Sequence, residues 1–266
     1  MIRNSETGAN RVQNSFEGRT AVVTGASRGI GLAVARHWHE QGGNVVLTAR
    51  TAEAAEAAAA TLGERALGFG AHVTNQDRAQ ACLETTLERF GRIDLLVNNA
   101  GTNPAFGPVV EQDHGRFAKL MDVNLWGPLL WTSLAWRLWM RDNGGAVVNV
   151  ASLGGLAVSP DLGLYHVSKA ALIHLTRQLA LELAPGVRVN AVAPGVVRTR
   201  LAEALWKENE ADVNAVTPLG RIGEPLDVAE LVVFLASRSA SWITGETVLV
   251  DGGQLLTGSA VEPVGA

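Results

Sequence analysis

The chain has 266 residues, 47% of them hydrophobic and 18% charged, a formal net charge of −4 and a single cysteine, Cys82. That length gives one or two domains and ample material for a buried core. The small, unclustered charge excludes a surface that tracks nucleic-acid phosphates, one cysteine excludes an internal disulfide, and the longest apolar stretch, Leu125 to Met140, is interrupted by Gly127, Pro128 and Arg137, which excludes a membrane span.

Residues 1–16 are polar, without the apolar core of a secretory signal, and read as an N-terminal extension of a cytoplasmic protein. Short β-branched runs follow at Thr20–Thr24, Asn44–Thr48, Ala66–Ala71, Ile93–Val97, Ala146–Ala151, Val187–Val192 and Thr247–Val250, with helical patterns between them. Continuous apolar runs alternating with longer helices predict about seven parallel strands covered on both faces, a single doubly wound α/β domain over residues 17–256. Residues 257–266 read as a tail. Ala52–Leu62 is a plain surface helix, since alanine is the best helix former. Gln112–Met140 reads as one long helix whose Trp126, Trp131, Trp136 and Trp139 serve either the core or a subunit contact. Arg200–Glu210 is an amphipathic helix placed to act as a lid over the carboxyl ends of the strands.

The first strand runs into Thr24-Gly25-Ala26-Ser27-Arg28-Gly29-Ile30-Gly31 and then a helix. Gly25 suits a tight turn, Gly29 a close approach of backbone N–H groups to a pyrophosphate, and Gly31 the packing of helix on strand. Ser27, Arg28 and Ile30 complete the loop. The second strand ends Thr48-Ala49-Arg50, with no carboxylate to accept from a ribose 2′-hydroxyl and a cation to neutralise a 2′-phosphate. With Arg28 beside it, Arg50 predicts NADP(H).

Tyr165 and Lys169 stand four apart in a strongly helical stretch, so phenol and ammonium share a face. A nearby cation stabilises the phenolate and makes the tyrosine a usable proton donor. Ser152 follows the fifth strand at the carboxyl edge, where its hydroxyl can hold a substrate oxygen.

With TGASRGIG at 24–31, NNAG at 98–101, Asn124 in DVNLWG, Ser152, Tyr165-x-x-x-Lys169, Pro194-Gly195 with Thr199, PLGRIGEPLDVA and Asp251-Gly252-Gly253, the sequence resembles a short-chain dehydrogenase/reductase over about residues 16–255. It is most like the 3-oxoacyl-(acyl-carrier-protein) reductases and related NADPH-dependent ketone reductases. The resemblance implies a Rossmann-type fold and a set of roles. Tyr165 is the general acid in reduction and the base in oxidation; Lys169 lowers its pKa and binds the nicotinamide ribose; Ser152 orients the carbonyl; Asn124 supports a water chain from Lys169. Asn98, Asn99, Ala100 and Gly101 line the cofactor, and Pro194, Gly195, Val197 and Thr199 hold the nicotinamide. Where the family carries an Asp-Val or Asp-Leu pair for the adenine, this chain has His72-Val73, which loosens that contact. The family's two helices after strands four and five pack across a two-fold axis, which makes a homotetramer or homodimer the expectation and puts Trp131, Trp136 and Trp139, or Tyr165–Leu183, at subunit contacts.

The remaining histidines, 37, 39, 114, 166 and 174, lack metal-ligand spacing, so no metal is expected. His166 points about 100° away from Tyr165 around the helix and receives no catalytic role. Cys82 reads as a small buried hydrophobe. Asn103, Pro104, Phe106, Leu153, Leu156, Leu162, Leu201, Leu205 and Trp206 bound a mostly apolar substrate pocket, with Leu153, Leu205 and Trp206 joining Ser152 on the substrate. A 3-oxoacyl thioester or another hydrophobic ketone suits it. Arg137, Arg141, Arg198 and Arg200 are candidates for docking an acidic acyl carrier protein. An alcohol dehydrogenase working oxidatively would use the same residues; a non-catalytic nucleotide-binding regulator would often lack one of Ser152, Tyr165 and Lys169, and all three are here.

Overall fold

The structure, a computed structural model, describes residues 16–257. The expected extension and tail therefore fall outside the described residues, apart from Phe16 and Thr257. Phe16 belongs to the domain: it is buried and stacks on Trp38 with ring centroids 3.9 Å apart.

Seven strands, β1 (Thr20–Val23), β2 (Asn44–Ala49), β3 (Ala66–Gly70), β4 (Leu95–Asn98), β5 (Gly145–Val150), β6 (Val187–Pro194) and β7 (Thr247–Val250), form one sheet in the order β3-β2-β1-β4-β5-β6-β7. Every pairing is parallel, with Val22 opposite Val46 and Leu96, and Val148 opposite Asn190. The helices are α1 (Gly29–Glu40), α2 (Ala52–Ala60), α3 (Gln76–Phe90), α4 (His114–Met121), α5 (Gly127–Ala135), α6 (Arg141–Asn143), α7 (Gly163–Leu183), α8 (Glu203–Trp206), α9 (Glu210–Val216), α10 (Pro225–Ala236) and α11 (Gln254–Thr257). Side chains alternate across a strand, and the core divides accordingly. Val23, Leu47, Val97 and Val148 pack with Val34 and Trp38 of α1 and Val228 and Val232 of α10. Val22, Val46, Leu96 and Val147 pack on the other face with Cys82 and Leu83 of α3 and Leu130 and Trp131 of α5. The strand order reverses between β1 and β4, and the crevice outside their carboxyl ends is where such sheets bind ligands.

One sequence expectation holds in detail and two change. The alanine-rich α2 is the expected surface helix, and it lies so close on β3 that a Cβ at Gly70 would stand 2.7 Å from the Ala52 nitrogen. The long helix begins at His114, where Asp113 accepts the Arg116 N–H, and it contains two π turns, Asp122–Trp126 and Trp136–Met140. Trp131 is fully buried and donates to the Val73 carbonyl at 3.0 Å, so it is core and not a subunit contact. The lid is two short helices, α8 and α9, in place of one. The break follows from side-chain ties: Trp206 donates to the Thr199 carbonyl, and Arg198 pairs with Glu210 at 2.9 Å, each pulling one half back toward the end of β6.

Candidate active site

The loop leaving β1 and the end of β4 build the cleft floor together. Gly25 and Gly29 have φ of +64° and +57°, which disfavour any side chain, and a Cβ on Gly25 would stand 2.9 Å from the Ala100 Cα. Thr24 Oγ1 accepts the N–H groups of Asn99 and Ala100 at 3.0 and 3.1 Å, and Asn99 Nδ2 donates to the Thr24 and Gly25 carbonyls. Gly31 is required by this brace, since a Cβ there would run into the Asn99 amide and stand 2.8 Å from the Gly25 oxygen. It admits Asn99 as well as the close approach of α1 to the backbone leaving β1, where the Ala26 Cα would stand 2.9 Å from that Cβ.

Consecutive strand residues face opposite ways, and Asn98 is a correction on that ground. It is 2% exposed and donates to Asn149 at 2.8 Å and to Thr132 at 3.1 Å; Asn149 in turn donates to Thr176. It ties β4 to β5 and α5 and leaves the cleft to Asn99.

The cleft itself has a volume of about 540 Å³, within the range of small-molecule sites. Of the residues expected on the cofactor, Gly25, Ser27, Arg28, Gly29, Ile30, Arg50, His72, Val73, Asn99, Ala100, Gly101, Tyr165, Lys169, Pro194, Gly195, Val197 and Thr199 line it; Gly31 and Asn98 do not. Arg28, Arg50, Lys119, Lys169 and Arg200 also line it, and no carboxylate does. Arg28 and Arg50 are exposed and have no ion-pair partner among the described residues. His72 is turned to its own loop, within 2.9 Å of the Thr74 hydroxyl.

The reactive cluster sits where the cleft meets β5 and α7. Ser152 caps the 3-10 turn Leu153–Gly155 and hydrogen-bonds the Tyr165 phenol. Lys169, one turn along α7, is 3% exposed; its Nζ donates to the Val150 carbonyl at 2.8 Å and lies 5.7 Å from the Tyr165 ring centroid. The shared face is as expected, and burial shifts both groups. Burial pushes the Tyr165 phenol up, with the Ser152 hydrogen bond opposing it, and the desolvated ammonium of Lys169 is brought down to about 8. Asn124 is carried by the first π turn, which directs its side chain inward: it accepts from Thr102 N–H at 2.9 Å and donates to the Thr102 carbonyl and the Ser168 hydroxyl.

A second cavity of about 200 Å³ opens from Ser152 and Tyr165. Asn103, Phe106, Leu153, Leu162, Leu201 and Leu205 line it as expected. Pro104 and Leu156 do not, and Trp206 is turned away, its indole on the Thr199 carbonyl and under the Arg198 guanidinium at 4.9 Å. Among the residues outside the expected pocket that also line it are the polar side chains of His166 and Gln254. Gln254 is legible only in three dimensions, since it reaches back across the chain to accept the Val196 N–H and donate to Thr217. His166 was discounted on helical rotation alone, and the cavity curves far enough around α7 to meet both faces.

A family model described as enoyl-(acyl carrier protein) reductase matches residues 25–254. The human protein dehydrogenase/reductase SDR family member 4 is 38% identical over 258 residues, 95% of this chain and 92% of its own length. The chain belongs to the short-chain dehydrogenase/reductase family. The Caenorhabditis elegans protein of the same name is 37% identical over 90% of this chain and 95% of its own. Among solved structures, a short-chain dehydrogenase/reductase from Brucella melitensis, described also as glucose/ribitol dehydrogenase, superposes with a TM-score of 0.86 at 36% identity, covering 90% of this chain and 98% of that one. A short-chain type dehydrogenase/reductase from Mycobacterium marinum gives 0.85 at 34%, covering 91% and 97%. Family and fold together make this chain an oxidoreductase of the kind that binds a nicotinamide cofactor. No group of three metal-ligating side chains forms among the described residues, and no helix there is long and apolar enough to cross a membrane.

Proposed function

We propose that the protein reduces a ketone to a secondary alcohol with NADPH, on a 3-oxoacyl thioester or another hydrophobic ketone. The observation that carries the cofactor choice is the electropositive cleft, with exposed, unpaired Arg28 and Arg50 and no lining carboxylate. The glycine cradle fits a dinucleotide by the same reasoning, since side chains on Gly25 or Gly29 would be strained and the first would obstruct Ala100. The reduced nicotinamide supplies the hydride when bound. Arg28 and Arg50 neutralise the 2′-phosphate, while Pro194, Gly195, Val197 and Thr199 bound the nicotinamide end. Ser152 polarises the carbonyl, and Tyr165 delivers a proton to its oxygen as the alkoxide forms. Lys169 and Asn124 position that proton's replacement, Lys169 from beneath the phenol and Asn124 through its bridge between Thr102 and Ser168.

Initial rates on one ketone with each cofactor test this reading. NADPH is expected to exceed NADH in kcat/KM by about 10- to 100-fold, the worth of one or two charged hydrogen bonds, and Arg50→Asp to reverse the order. Equal efficiency with NADH in the wild type rejects it.

The apolar cavity supports a hydrophobic substrate. Acyl carrier protein is less well supported as a partner, because Arg141 pairs with Asp142 and Arg198 with Glu210 and Glu224. Arg137 and Arg200 remain for it. A cytoplasmic setting fits a chain whose single cysteine is a buried thiol, raised by that burial to about 12. Exposed Phe117, Trp126 and Leu181 along α4 to α7 support the homodimer or homotetramer that the family resemblance implies. Light scattering is expected to give twice or four times the chain mass; a monomer at micromolar concentration rejects it.

A further inference from the structure

His166 stands beside the reacting tyrosine, yet no part of the mechanism uses it. Its side chain is nine-tenths buried at the wall of the substrate cavity, 6.1 Å from the Tyr165 ring by centroids. Buried polar atoms in proteins nearly always find a partner. Nδ1 of His166 has none among the described residues and is closed to solvent, which leaves Nε2 as the nitrogen able to meet a ligand. The ring is also held in place: its Cδ2–Nε2 edge lies on Gly154, where any Cβ would collide with it. Gly154 belongs to the turn that Ser152 caps. The same short turn therefore sets both the carbonyl-orienting hydroxyl and this imidazole.

The surrounding chemistry narrows what the ring does. Desolvation holds His166 below its ordinary value, so the imidazole is neutral at physiological pH and offers one N–H donor and one lone pair. Most of the remaining wall is apolar, including Phe106, Leu153, Leu162 and Leu205. A neutral hydrogen-bonding ring in an apolar wall orients a ligand by one polar contact. Ser152 and Tyr165 already serve the reducible oxygen, so the imidazole is left for a different oxygen of the same molecule.

We propose that His166 is a specificity-determining residue that hydrogen-bonds a second carbonyl oxygen of the substrate, selecting 3-oxo esters and thioesters over simple ketones of the same size. This deepens the ketone-reductase reading and rests on it for turnover. It explains the placement of a polar ring on Gly154 at the cavity wall. A substrate lacking the second oxygen leaves the ring unpaired and loses affinity accordingly.

The test compares ethyl 3-oxobutanoate with 2-heptanone, two ketones of equal chain length that differ by the second carbonyl and the ester oxygen. In wild type, kcat/KM is expected to favour the oxo ester. His166→Leu is expected to lower the ester-to-heptanone ratio about tenfold, equivalent to ~1.4 kcal/mol, mostly through KM for the ester, and His166→Asn to restore part of it. NADPH titration of each variant reads folding independently of the substrate cavity. A ratio unchanged in His166→Leu, in a variant that still binds NADPH, overturns the proposal. If wild type turns over neither ketone, the reductase reading fails on its own, and calorimetric binding of ethyl 3-oxobutanoate to the NADP-loaded protein decides for His166. Tenfold weaker binding in His166→Leu sustains the role, and equal binding ends it. Should His166→Leu not fold, Gly154→Ala displaces the ring from its seat and is expected to lower the same ratio.

Discussion

Tyr165→Phe is expected to reduce kcat for ketone reduction by about 10²- to 10⁴-fold while leaving the dissociation constant for NADPH within about twofold. The range is what general acid catalysis by one positioned side chain contributes. The phenol is suited to the part because the site keeps it protonated: burial raises its pKa, so at neutral pH the proton is present until charge develops on the substrate oxygen. Phenylalanine keeps the ring, its packing and the helix, and removes only the hydroxyl that meets Ser152. The cofactor cleft is lined by many other residues, from Gly25 to Thr199, so its affinity is carried elsewhere. Stopped-flow or steady-state rates with fluorescence titration of NADPH separate the two effects. A variant with wild-type turnover shows that some other group delivers the proton; loss of NADPH binding together with turnover shows that Tyr165 is a cofactor contact before it is an acid.

The seven strands, their parallel sense and the position of the glycine loop are legible in the sequence, because each follows from local pattern; the strand order is not. Apolar runs of four to six residues, such as those at Thr20–Thr24 and Asn44–Thr48, have few other ways to be buried. The helix-face pairing of Tyr165 with Lys169 follows from spacing for the same reason. What the sequence hid depends on which way a side chain turns once the chain is folded. Asn98 and Asn99 are adjacent and chemically identical, yet one braces two strands inside the protein and the other holds the cofactor loop. Nothing in NNAG says which is which without knowing the strand's phase. Trp131, open in the sequence between core and subunit contact, and Trp206, expected on the substrate, turn on the same point: an indole with a backbone carbonyl in reach becomes a structural anchor, and both have one, on Val73 and on Thr199. The lid broke into α8 and α9 because ties from Arg198 and Thr199 outweigh the helical periodicity of RLAEALWKENE.

Lys169→Met is expected to make the protein more stable at pH 7 and nearly inactive, and its pH dependence distinguishes this cause from any other. Lys169 is 3% exposed, with a single backbone acceptor and no carboxylate, and burial takes its pKa from 10.5 to about 8. The sign follows from proton counting. Between about 8 and 10.5 the unfolded chain holds this proton and the folded chain does not, so the lysine's contribution to stability rises with pH across that window. Below about 8 the whole penalty of the buried charge is present, on the order of 3 kcal/mol. Methionine has similar volume and no charge, and its cost is the unpaired Val150 carbonyl, about 1 kcal/mol. The net gain of roughly 2 kcal/mol raises Tm by about 4–8 °C for a domain of this size and shrinks as pH rises from about 8 toward 10.5. Thermal melts at pH 7 and pH 10 check it: a variant less stable than wild type at pH 7, or a gap constant with pH, removes the buried-charge account. The activity limb follows the same titration, since reduction in wild type is expected to fall as pH rises through about 8 and the ammonium that supports Tyr165 is neutralised. Lysine thus stands in a position where an apolar residue would fold better, and the reason for a charge there is chemical: it keeps a proton within reach of the phenol at the pH where the site works.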